Sequence, residues 1–68
     1  MKNVIPRNFT KIVAEMLIDT SCDKKGDIVH VFKDEYGYIE LNIRTGSCAR
    51  PFASTLRNEN YVKIIKII

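Results

Sequence analysis

A chain of 68 residues makes one small domain, and a domain of this size buries only about 60% of the surface its unfolded chain exposes. A core that thin leaves little room for a deep catalytic pocket, so the size favours a surface binder over an enzyme. With 46% hydrophobic and 28% charged residues the composition is globular, not disordered.

The formal charge of +3 hides an asymmetry: residues 1–40 carry six Lys/Arg against seven Asp/Glu, residues 41–68 five against Glu59 alone. A basic half suits nucleic acid or an acidic protein surface, and equally a solvated face that keeps the chain soluble. Cys22 and Cys48 are too few for a disulfide scaffold, so free thiols in a cytoplasmic protein are expected. Pairing is not readable from spacing, so a Cys22–Cys48 bridge stays an alternative. The N-terminus lacks the apolar run of a secretory leader, and no run approaches the roughly 20 residues of a membrane helix.

In chain order, residues 1–10 with Pro6 read as an arm leading into a single domain that spans 1–68. Phe9–Asp19 is ambiguous: apolar residues at 9, 12, 13, 16 and 17 fit a helix capped by Asn8. At period two, Ile12, Ala14, Met16 and Ile18 form one apolar face of a strand. The strand is preferred because everything downstream is β; a helix there gives an α+β fold instead. Asp19–Asp27 is polar and turn-forming. Ile28–Phe32 is a β-branched and aromatic strand, with Val29 and Val31 facing the core and His30 facing out. A turn at Lys33–Gly37 leads to Tyr38–Arg44, whose alternation predicts Ile39, Leu41 and Ile43 inward and Glu40, Asn42 and Arg44 outward. Thr45-Gly46-Ser47 is a further turn, and Cys48–Ala53 a short strand that Pro51 places at an edge or a bulge. Ser54–Asn60 suits a 3₁₀ turn around Leu56, and Tyr61–Ile68 is strongly strand-forming. Short strands joined by tight turns predict a small barrel or sandwich.

Lys24-Lys25-Gly26-Asp27-Ile28-Val29-His30-Val31-Phe32 resembles the segment that opens the second strand of SH3 and SH3-like barrels. Asn60-Tyr61-Val62-Lys63-Ile64 resembles the element that ends their 3₁₀ turn and opens the last strand. The resemblance spans about Lys11 to Ile65 and implies a five-stranded all-β barrel. The chain has no Trp, its first strand lacks the aromatic pair of signalling SH3 domains, and Pro51 lies too far from Tyr61 to complete their groove. Binding of proline-rich peptides is therefore not implied. The chain is more similar to short SH3-like proteins of bacteria and their phages, which implies a fold and a way of life but no activity.

His30 is the only histidine, and with Cys22 and Cys48 it falls short of the paired ligand spacing of a metal site. Cys48 has Arg50 nearby but no second base, and the Asp19, Asp23, Asp27 series lacks the rest of a calcium loop. No catalytic residue, metal or cofactor is expected. Tyr38, Arg44, Arg50, Phe52, Arg57 and Tyr61 mix planar surfaces with guanidinium forks, the chemistry of protein hot spots and of single-strand binding. The expected function is a non-enzymatic protein-binding module of phage type. It would use these six residues to mask a site on a partner protein and so modulate or inhibit it. Nucleic-acid binding by the basic half is the alternative, and the apolar C-terminal strand offers a route to a homodimer.

Overall fold

A computed structural model describes residues 3–68. Its strands are β1 (Ile12–Met16), β2 (Ile28–Asp34), β3 (Gly37–Asn42), β4 (Cys48–Ala49) and β5 (Val62–Ile67), with one helical turn, α1 (Ala53–Arg57). All pairings are antiparallel, and the strands form one sheet in the order β4-β3-β2-β1-β5. The all-β expectation holds and the helical alternative at 9–19 does not. A strand there pairs on both sides, with β2 and with β5, which satisfies backbone groups that a two-turn helix would leave open.

The core lies on one side of the sheet. Ile12, Ala14 and Met16 of β1 and Val29 and Val31 of β2 are buried there with Leu56 and Val62. Leu56 is the reason α1 exists as a plug: the Phe52 carbonyl accepts from the N–H groups of both Thr55 (3.0 Å) and Leu56 (3.3 Å). The expected 3₁₀ turn is thus a short α-helix whose first turn is half 3₁₀. β4 is only two residues long, shorter than the sequence suggested, and Pro51 follows it after Arg50.

Part of the arm expected over residues 1–10 falls at residues 1–2, outside the described residues. From Asn3 onward it is pinned: the Asn3 N–H donates to the Arg57 carbonyl, and its side-chain amide donates to the carbonyls of Leu56 and Val62. Ile5 and Phe9 then close the mouth of the core. They leave Ile65, Ile67 and Ile68 at the C-terminal end exposed, so the arm is no lid for those residues. Asn3→Ala is expected to cost about 1–2 kcal/mol in urea unfolding, because two half-buried carbonyls lose their donor. Cys22 and Cys48 are exposed and unbridged. No helix among the described residues is long and apolar enough to cross a membrane.

β3 is turned over relative to its sequence reading. Glu40 (6% exposed) and Asn42 (1%) face inward, while Ile39 and Leu41 face outward with Ile43 beyond them. The cause is register. The β2–β3 hairpin closes on Asp34 opposite Gly37, leaving a two-residue loop, Glu35-Tyr36. That loop sets Val29 against Asn42, Val31 against Glu40 and Phe32 against Ile39. Directly opposed residues share a face, so burying Val29 and Val31 carries Asn42 and Glu40 inward with them.

The inward polar pair is accommodated by the loop between β1 and β2. The Asn42 amide donates to Asp23 Oδ1 (2.7 Å) and Asp27 Oδ2 (2.9 Å). The Asn42 Oδ1 accepts from the N–H groups of Arg44 and Thr45. Arg44 closes the group with a two-pronged contact to Asp27, Nε to Oδ1 and Nη2 to Oδ2. These donors, the Arg44 guanidinium first, hold the Asp27 carboxyl well below the usual carboxylate range. Glu40 goes the other way. Burial, then a hydrogen bond to Asp23 and the charge of that carboxylate, push the Glu40 carboxyl up to about 8. The shift favours the protonated carboxyl at neutral pH, the form that can donate to Asp23.

Candidate docking surface

The turned-over β3 makes the outer face of the sheet apolar. One row across all five strands reads Lys66, Val13, His30, Leu41, Cys48, each residue directly opposite the next. A neighbouring row sets Phe32 beside Ile39. On the other side Ile28 pairs with Glu15, which itself faces Lys63, and the Ile28 carbonyl accepts from the Ile43 N–H. Phe32 meets His30 edge to face, with ring centroids 6.4 Å apart. None of these apolar side chains is fully buried, and Ile43 is 49% exposed. The result is an apolar stripe over β2 and β3.

The stripe's two borders differ. On the β1–β5 side lie Lys11, Lys63 and Lys66, with Glu15 as the acidic member of that side. On the β4 side an open depression of about 400 Å³ is lined by Ile39, Cys48, Ala49 and Arg50. Arg50 is held by two bonds to Asp34 (3.1 and 2.7 Å) and lies 5.7 Å over the Tyr36 ring. That contact lowers the Asp34 carboxyl to about 2.

The six residues singled out from sequence occupy separate places. Tyr38 lies on the inner side, stacked on Phe9 with centroids 6.3 Å apart and packed against the core. Arg44 is committed to Asp27 and Arg50 to Asp34. Arg57 ends α1, and its carbonyl holds the Asn3 N–H. Phe52 is 80% exposed just before α1, and Tyr61 is partly exposed ahead of β5. The sequence places Phe32 outward beside His30, but its alternation puts Ile39 and Leu41 in the core, and these two the structure turns outward. The signal that finds them is the pairing of the two strands, since neither strand shows it alone.

β5 forms one edge of the sheet. Its ladder with β1 shifts register between Val13 and Ala14, leaving Ile65 as the extra residue of a bulge, and Lys63 and Lys66 flank it. Bulges and edge lysines both discourage sheet-to-sheet pairing. No protein-family profile, curated protein or solved structure matches this chain.

Proposed function

We propose that this chain is a non-enzymatic protein-binding module whose docking surface is the outer face of the sheet. The observation that carries the reading is the placement of Ile39 and Leu41 outward while Glu40 and Asn42 are taken inside. Single exposed apolar residues are ordinary, but a contiguous apolar stripe is a feature of interfaces, and polar residues buried in its stead add to the case. A strand order in which β5 returns beside β1, with a helical turn before it, supports the SH3-like kinship. The mechanism is masking: the stripe covers a functional patch on the partner and changes its activity. Nucleic-acid binding ranks second, because Arg44 and Arg50 are spent on carboxylates within the chain.

The test is affinity capture from a cell lysate, with and without nuclease, using the wild type and Leu41→Lys. Retention of a defined protein that survives nuclease and is lost with Leu41→Lys is the expected result. Equal capture by both chains, or recovery of nucleic acid with proteins released on digestion, would overturn the reading. Circular dichroism of Leu41→Lys guards against simple unfolding.

A further inference from the structure

The two borders of the stripe specify its occupant more closely, an inference that rests on the docking reading above. From the apolar stripe and the lysines along one border, we infer that the partner presents an amphipathic helix with an acidic flank. It would lie along β2 and β3, with its carboxylates over Lys11, Lys63 and Lys66.

Width and length argue for a helix. The stripe is two strands wide, and at about 4.8 Å per strand that is about 10 Å, the diameter of one helix with its side chains. β2 is seven residues long. At about 3.3 Å per residue this is matched by a helix of about 15 residues. An apolar sheet face is covered by a helix or by a second sheet, and a stripe this narrow gives a second sheet too little to rest on.

Charge argues for the acidic flank and for its side. Strand alternation puts Lys11 beyond Ile12 on the outer face, and pairing puts Lys66 opposite Val13 and Lys63 opposite Glu15 on the same face. Among the described residues none of these three lysines is held in an ion pair. Among the described residues, Arg50 is the cation that lines the depression on the opposite border, and Asp34 already neutralises it. A helix with carboxylates on one flank therefore fits in one direction across the stripe. This asymmetry sets its orientation and steers its approach.

The probe is a displayed library of helical peptides of about 15 residues, with leucine at i, i+3, i+4 and i+7 and randomised flanks, selected on the full chain. Recovered peptides are expected to carry Asp or Glu along one flank. Lys63→Glu/Lys66→Glu is expected to weaken their binding about tenfold, and a lysine-flanked peptide to bind that variant in their place. Leu41→Lys removes binding of either kind. Recovery of no peptide, recovery without acidic bias, or indifference to the double charge reversal would overturn the inference. So would displacement of the peptides by a single-stranded oligonucleotide that binds the same face more tightly. If lysate capture still depends on Leu41 in those cases, the docking surface stands and only the partner chemistry falls. If Leu41→Lys changes neither capture nor peptide binding, the surface itself is wrong.

Discussion

Raising the pH from about 5 to about 9 is expected to destabilise the folded chain by about 2–4 kcal/mol, and Glu40→Gln to remove most of that loss. The Glu40 carboxyl sits inside the sheet against Asp23, and its pKa is raised from an ordinary 4.5 to about 8. Between those values the folded chain keeps this proton while the unfolded chain has lost it. The unfolded state then binds fewer protons than the folded one, so stability falls as pH rises through the window. Below the window both states are protonated and the full contribution is present; above it Glu40 ionises beside Asp23, and two carboxylates face each other behind Asn42.

Asp34 and Asp27 work in the opposite sense, because both are held below their ordinary value of 3.8 by arginine contacts. Their stabilisation is present above that value and is lost as acid titrates them. Maximal stability is therefore expected between the two regimes, near pH 4–5 by the ordinary carboxylate values, well below the pI. Glutamine keeps a donor toward Asp23 but cannot ionise. Urea unfolding of both chains across the range is the check, and a parallel decline in Glu40→Gln would show that another group is responsible.

Most of the architecture was legible because local chemistry and tertiary need agree. Gly26, Gly37 and Gly46 each take a positive φ in the turns that the sequence marks. The β-branched runs at 28–32 and 61–68 become strands because their inward residues, Val29, Val31 and Val62, are the core. The alternation of Ile12, Ala14 and Met16 outweighed the helical spacing of the same segment, since strands were waiting on both sides. What misled was β3. Its alternation is clean, but alternation says only that two faces differ, and burial of the more apolar face is a prior that the partner strand can override. The interior polar group was hidden for the same reason. Asp23 and Asp27 read only as part of a polar, turn-forming loop until Asn42 and Glu40 are known to point at them.

That inversion leads to the prediction that most directly tests the fold and the site together. Asn42→Ala is expected to cost about 3–5 kcal/mol and Leu41→Ala no more than about 1 kcal/mol, the reverse of the order that apolar and polar residue types suggest. Asn42 uses its whole side-chain capacity, donating to Asp23 and Asp27 and accepting from the backbone of Arg44 and Thr45. Removing it strips a donor from two carboxylates that are themselves buried, and it releases the turn that leads to β4. A leucine at 42 would fill the volume but leave those carboxylates without their donor, so Asn42→Leu should fail nearly as badly. Leu41 loses only packing against His30 and Cys48 on an open face, where collapse of neighbours and water can compensate. In binding the ranking reverses: Leu41→Ala is expected to lower affinity for a partner while leaving the fold nearly as stable. Urea midpoints for the three variants decide the matter. A Leu41→Ala loss larger than that of Asn42→Ala would place Leu41 in the core, and the outer face would then be no docking surface at all.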